Sequence, residues 1–572
     1  MQPTVVRREK RVFEALDKLY EFEREPVSPD KLQPARHFAA LLAGEHVAST
    51  EFVIGALFVK WGASVSDVFF GLIIGNLMAV LTWTFICTPV AIRTRLTLYW
   101  YLRKIAGPAT TTIYNVLNAV LFCILAGCMI TVSASSLRLL FGIPAQTKWY
   151  PEDIRFVILV LVLGAVVVTL AILGFKKLSQ FAEICAPWMF FMFVAGAIVL
   201  LPALAKENGW TGIHSFADFW AIGKKFIWTG RAADPANQVS FWHVAAFAWI
   251  CNLAMHGGLS DMALFRYAKT TWCGLTSAVG MFFGHYVAWI CAGVMGAATA
   301  YLLNKPMVDL DPGDVATMAL GISGAICVVL AGWTTSNPTL YRAGLAFQAV
   351  TPNWPRWLVT LGVGIATTII ACSPFVFNYL LNFVGWYGLL LMPVGAIVFA
   401  EHWLFPLIGL NQFWVSRKGL DWSWPALASW FIGIGLSIVL VYFNILHLFF
   451  LFVPIWLLTI LLYIILSRIA GAGEHLPELP PTAPAVRPDR ATATGEEEHA
   501  APNRPLLWIS GGIALLTLLF CMLSPFYVLL KGAAAYEQRL ATYKTILMWV
   551  SIIHLATATV WAVAKEKSKG GF

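Results

Sequence analysis

Residues 44–49 read Gly44-Glu45-His46-Val47-Ala48-Ser49, and residues 252–258 read Asn252-Leu253-Ala254-Met255-His256-Gly257-Gly258, followed by Asp261. Each stretch interrupts an apolar run of about 20 residues, long enough to cross about 30 Å of hydrocarbon at about 1.5 Å per residue. An ionisable side chain at that depth costs about 2.5–3.5 kcal/mol on insertion scales, which marks Glu45, His46, His256 and Asp261 for a function. Unwound backbone survives in lipid only where it is buried or lines a cavity, and there its carbonyls and helix ends are free to bind ions and solutes. The two stretches are five spans apart. That spacing is expected when two inverted five-helix repeats each open with a discontinuous helix.

The rest of the chain supports this reading. Of 572 residues, 59% are hydrophobic and 12% charged, against about 25% charged in soluble domains. Spans are expected at roughly 38–59, 67–92, 110–141, 154–174, 181–204, 241–265, 273–303, 316–348, 356–373, 375–403, 423–445, 447–468, 506–530 and 543–564. The expected architecture is an all-α polytopic membrane protein with a segment at 1–36, a ten-helix inverted-repeat core at 37–404 and two peripheral helices at 405–469. A Pro-, Glu-, Ala- and Thr-rich linker at 470–505 has too little apolar area to order itself, and an additional helix pair follows at 506–572. The formal charge of +9 comes from basic residues in short loops, Arg93, Arg95, Arg103, Lys104, Lys176, Lys177, Arg266, Lys269, Arg342, Arg356, Arg417 and Lys418 among them. The positive-inside rule then places both termini in the cytoplasm, in a cell (inner) membrane, and leaves no reason to invoke nucleic acid. The cysteines lie singly in apolar segments without a CxxC pair, which argues against disulfides and zinc. The N-terminal segment has no apolar core before the first span and does not read as a cleaved signal.

The eighth span contains Ala331-Gly332-Trp333-Thr334-Thr335-Ser336-Asn337-Pro338. Two adjacent hydroxyls and carbonyls freed by Pro338 are the hard, neutral ligands a small cation accepts in exchange for water. The alternative is that these hydroxyls only bond the preceding turn. Trp249 and Asn252 lie three apart on the sixth span and are expected to share a face, which offers a stacking plane beside an amide. Asn118, Asn337, His256 and Ser49 complete the expected solute contacts. Asp261 is expected to pair with Arg266. Glu51, Glu401 and His402 carry weaker signals, and His285 reads as a packed histidine. No Walker loop, GxSxG elbow or HExxH occurs, so ATP-driven transport and hydrolysis have no support, and no residue is assigned a catalytic role.

At four places the sequence resembles the nucleobase–cation symporter family, the permeases of cytosine, purines, uracil, allantoin and hydantoins. They are Ile74-Gly75-Asn76-Leu77, the run WTTSNPTLYRAGL at 333–345, Asn382-Phe383-Val384-Gly385-Trp386 with Pro393 and Gly395, and Ala400-Glu401-His402-Trp403. The similarity extends over roughly residues 36–470. It implies the same inverted-repeat core and alternating access coupled to sodium or protons. It also implies a cation site formed by Ala331, Thr334 and Thr335 with first-helix carbonyls near Glu45 and Ala48, and it matches Trp249 to a substrate-stacking aromatic. The departures fall on the solute cavity: Asp261 precedes Arg266 by five residues where the family has three, and Leu121 or Phe122 stands where a third-helix tryptophan is expected. The expected function is a cation-coupled symporter of a small planar solute, a nucleobase or related heterocycle, with no cofactor beyond the coupling ion and with sodium favoured over the proton. An amino-acid or amine carrier on the same fold, and a membrane receptor that binds without flux, are the alternatives. A homo-oligomer is compatible with either.

Overall fold

Apolar runs bounded by polar turns form helices in each expected span, and the computed structural model contains no strand among its described residues, which are 16, 19–207, 209–210, 212–232, 234–307, 310–374, 380–477, 504–530 and 535–567, so that 375–379 of the expected tenth span lie outside them. Residues 1–15, 17 and 18 of the N-terminal segment, 478–503 of the linker, and 568–572 lie outside them. The elements that follow are α1 (Ala35–His46), α2 (Glu51–Lys60), α3 (Val65–Thr94), α4 (Leu98–Ala106), α5 (Pro108–Arg138), α6 (Ile154–Leu173) and α7 (Phe175–Glu207). Next come α8 (Phe216–Ile222), α9 (Phe241–Ile250), α10 (Leu253–His256), α11 (Met262–Phe265), α12 (Thr271–Leu303), α13 (Pro312–Leu320) and α14 (Ile322–Val350). The chain continues through α15 (Arg356–Ala371), α16 (Leu380–Phe399), α17 (Trp424–Tyr442), α18 (Phe452–Ile469), α19 (Arg504–Leu530) and α20 (Tyr536–Lys567). Among the described residues ten helices are long and apolar enough to cross a membrane, eleven if α1 and α2 count as one span.

The first span is broken as its sequence requires. Val47 leaves helical geometry at φ −86° and ψ 63°, and α2 restarts at Glu51 with a 56° bend from α1. Neither end is closed by a capping side chain, so backbone polar groups stay available at the break. The sixth span is interrupted twice. Asn252, at φ −113° and ψ 31°, separates α9 from α10, and Gly257-Gly258-Leu259 separates α10 from α11 with Leu259 in the left-handed region at φ 64°. A glycine on α16 makes room for that second interruption: a Cβ at Gly395 would fall 2.0 Å from the Gly257 carbonyl oxygen.

The packing has the symmetry of two inverted repeats. α2 packs on α12 as α9 packs on α3, so the first span meets the seventh as the sixth meets the second. The third and eighth spans, α5 and α14, cross each other, and so do the fourth and ninth, α6 and α15. The expected span at 316–348 is in fact two helices. α13 opens with an Asp311–Asp314 capping box and stops at Gly321, whose φ of 61° ends one helix and starts α14. Pro338 does not interrupt α14, although it removes the amide that would have bonded the Thr334 carbonyl. α17 and α18 pack on α16, and the appended α19 and α20 pack on α7.

Candidate functional site

The break between α1 and α2 faces the middle of α14. Gly44 permits the approach, because a Cβ there would stand 2.9 Å from the Ala182 Cβ on α7 and 3.4 Å from the Thr334 Cβ. The Thr335 hydroxyl lies 2.8 Å from the Glu45 carbonyl oxygen and 2.9 Å from that of Ala331. The Thr334 hydroxyl lies 3.1 Å from the Ala331 carbonyl and 3.0 Å from that of Leu330. Glu45, Ala331, Thr334 and Thr335 are therefore brought together as one cluster of neutral oxygens from two helices. Ala48 lines the cavity beside it, and its carbonyl accepts the Glu51 amide at 3.2 Å. The threonine hydroxyls meet backbone carbonyls on two sides. They bond the preceding turn, and Thr335 also reaches across to the broken helix. Carbonyls and hydroxyls are the ligand chemistry a small hard cation requires, and none of them has to lose a proton first.

About two turns along α14 from Thr335, Arg342 joins the two broken helices. Its Nη2 donates to Glu45 Oε2 at 3.0 Å and its Nε to Asp261 Oδ1 at 2.8 Å, with Trp83 Nε1 donating to Asp261 Oδ2 at 2.6 Å. All of these side chains are buried. This corrects the expected Asp261–Arg266 pair. Arg266 instead donates to the carbonyls of Glu21 at 2.6 Å and Ala263 at 3.0 Å, because the short α11 turns it away from Asp261 toward the N-terminal segment. This also corrects the expectation that Arg342 lies in a cytoplasmic connection: it is buried within α14, and its role was not legible because its partners lie 297 and 81 residues away with no local spacing to link them.

A cavity opens between the first, third, sixth, seventh, eighth and tenth spans, lined by Glu45, Ala48, Asn252 and Thr335 among the expected residues. Met129, Met255, Leu125 and Tyr387 give it apolar walls. Trp249 does not line it. Helical spacing fails where the backbone breaks at Asn252, so Trp249 and Asn252 part company: the Trp249 indole N–H donates to Thr82 Oγ1 at 3.0 Å and its ring packs on Phe452. His256 is likewise outside, with Nε2 2.9 Å from the Trp249 carbonyl and its ring against Trp83. Asn118 donates to the Tyr114 hydroxyl at 3.3 Å and to Ser260 Oγ at 3.4 Å. Asn337 is buried away from the cavity with neither amide atom bonded, and Ser49 turns its hydroxyl to Met129 Sδ at 3.8 Å.

Two residues that sequence reasoning ranked low stand in the cavity wall. Glu51 and His285 both line it, with His285 Nε2 3.7 Å from Glu51 Oε1 and the imidazole stacked on Trp289 at 4.3 Å between ring centres. The signal that could have found them is the repeat itself. If the first span packs on the seventh, polar residues at membrane depth in both face each other.

The fold and the two discontinuous helices beside a hollow define a five-plus-five inverted-repeat membrane protein of the kind built by cation-coupled transporters. Among solved structures, this chain is similar to Mhp1, a nucleobase-cation-symport-1 family transporter, in a closed conformation with bromovinylhydantoin bound: TM-score 0.60, 17% identity, 79% of this chain and 96% of the other. It is similar to the inward-facing conformation of Mhp1 at TM-score 0.56 and 17% identity, covering 79% of this chain and 95% of the other. It also matches an outward-open, substrate-bound sodium-coupled sialic acid symporter at TM-score 0.55 and 13% identity, over 82% of this chain and 97% of the other. The first two belong to the family that the sequence motifs resemble. No family model and no curated protein sequence matches this chain.

Proposed function

We propose that this chain is a cation-coupled secondary symporter that carries a small planar polar solute, a nucleobase or related heterocycle, by alternating access. The observation that carries the reading is the contact of Thr335 Oγ1 with the Glu45 carbonyl across the break in the first span. A cation held among the Glu45, Ala48 and Ala331 carbonyls and the two threonine hydroxyls ties α1 to α14 and closes the floor of the cavity where Asn252 and Thr50 offer polar contacts. Ion and solute thereby favour the same arrangement of helices, which is what coupling requires. Each charge that crosses a potential of 100 mV contributes about 2.3 kcal/mol, enough for tens-fold accumulation.

Sodium is proposed as the ion, because the oxygens of the cluster are neutral. The likeness to Mhp1 and to the sialic acid symporter supports symport as the class of activity. The membrane is taken to be the inner membrane of the cell, with both termini cytoplasmic. The test is uptake of labelled nucleobases and hydantoins into proteoliposomes under a sodium gradient. Thr335→Ala removes one ligand, and the sodium concentration for half-maximal uptake is expected to rise about tenfold, the effect of about 1.4 kcal/mol. Uptake that follows pH and ignores both sodium and this substitution would overturn the sodium site.

A further inference from the structure

Glu51 is the buried carboxylate that the proposed cycle leaves without a task. It sits in the first turn of α2, is 2% exposed, and lines the cavity. Its Oε2 has no hydrogen-bond partner, and the 3.7 Å from Oε1 to His285 Nε2 exceeds hydrogen-bonding range. The other buried carboxylates among the described residues are matched, Glu23 accepting the Glu21 amide at 3.1 Å. Glu45 and Asp261 share Arg342, and Glu401 accepts the Phe413 amide at 2.7 Å and the Tyr463 hydroxyl.

The groups around Glu51 add acceptors rather than cations. His46 also lines the cavity, its Nδ1 donating to the Leu42 carbonyl at 2.7 Å, which leaves Nε2 as an acceptor in the neutral ring, and that nitrogen has no partner. No lysine or arginine is among the described residues that line the cavity. An acidic group removed from water and given no protein partner is expensive, and it persists in a binding site when the ligand brings the partner. A carboxylate accepts through two oxygens, which suits two parallel N–H donors or one charged nitrogen.

We infer that Glu51, flanked by His285, is the specificity-determining residue of the cavity, and that it selects solutes with an N–H-donating nitrogen able to carry positive charge. Two sources share that chemistry: the amidine edge of a planar aminoheterocycle and the ammonium group of an amine. The inference rests on the cavity being the solute site, and it narrows the solute class within it.

The experiment measures binding by calorimetry to the purified full-length chain in nanodiscs with sodium chloride. Cytosine is compared with uracil and adenine with hypoxanthine, pairs in which an amino group replaces an oxo group, and phenethylamine with 2-phenylethanol. The wild type is expected to favour the amino member of at least one pair by about tenfold, the effect of a charge-assisted hydrogen bond. Glu51→Gln is expected to cut that ratio to within about threefold, and Glu51→Asp to keep part of it. The inference is overturned if no amino member binds, if the ratio is near one in the wild type, or if Glu51→Gln leaves it intact. A preference confined to the amine pair keeps the role of Glu51 and removes the heterocycle. Tight, sodium-linked binding of the oxo heterocycles without preference does the reverse.

Discussion

At the residue scale the structure sets a charged network beside a cluster of neutral oxygens. Arg342 is fully buried and holds two carboxylates from the two broken helices. Removing one member of a buried ion pair leaves an uncompensated charge and costs about 3–5 kcal/mol, whereas replacing the whole set with apolar or neutral groups is often nearly free. Arg342→Met is therefore expected to lower the thermal midpoint sharply in detergent, and the triple variant with Glu45→Gln and Asp261→Asn to restore most of it. A triple variant no more stable than Arg342→Met would mean that the arginine acts through packing alone. The meeting of Glu45, Ala331, Thr334 and Thr335 was legible in sequence because its parts are local: a polar break in one span and paired hydroxyls in another. Arg342, Glu51 and His285 were not, since each acquires its meaning from a partner on a different element. Trp249 misled because i, i+3 spacing holds only while the helix lasts.

At the scale of elements, hydropathy located the long apolar helices but not the short α4 and α8 between them, and most ends followed within a few residues because polar turns bound each apolar run. What hydropathy could not reveal was where a continuous apolar stretch is divided. Gly321 splits α13 from α14 through its positive φ, and a glycine in sequence does not announce that conformation. The break in the sixth span depends on a neighbour as well as on its own glycines. α16 lies so close that the Gly395 Cα faces the backbone of Gly257. Gly395→Ala places a Cβ 2.0 Å from that carbonyl oxygen, which backbone atoms cannot yield to cheaply. A loss of about 1–3 kcal/mol is expected from such overpacking. The informative readout is a comparison: uptake should fall more steeply than thermal stability, because the displaced segment leads directly into Asp261. Equal losses in both would reduce Gly395 to an ordinary packing position.

For the whole molecule the open question of design is the appended pair. α19 and α20 lie against α7, fastened there by the Tyr536 hydroxyl on the Val199 carbonyl at 2.7 Å, and α20 also reaches α14, where the Ser551 and Ser323 hydroxyls stand 3.2 Å apart. At one end Glu566 meets Lys176 at 2.9 Å and Lys177 at 3.0 Å. No residue of the pair lines the cavity, and none contributes an oxygen to the Glu45–Thr335 cluster. Ligand affinity depends on groups that touch the ligand and on the state the helices adopt, so a truncation after residue 477 separates these two contributions. If the pair is a passive brace, sodium and solute affinities stay within about twofold while the thermal midpoint falls, since contacts along α7 are lost without loss of the site. If it holds α7 in one arrangement, affinities shift by more than that in the same direction for ion and solute, by linkage. The serine and tyrosine bonds are neutral and the lysine pairs partly exposed, contributions of about 1 kcal/mol or less each. The expected outcome is the brace: unchanged binding isotherms from calorimetry on the truncated chain, with a lower midpoint of unfolding.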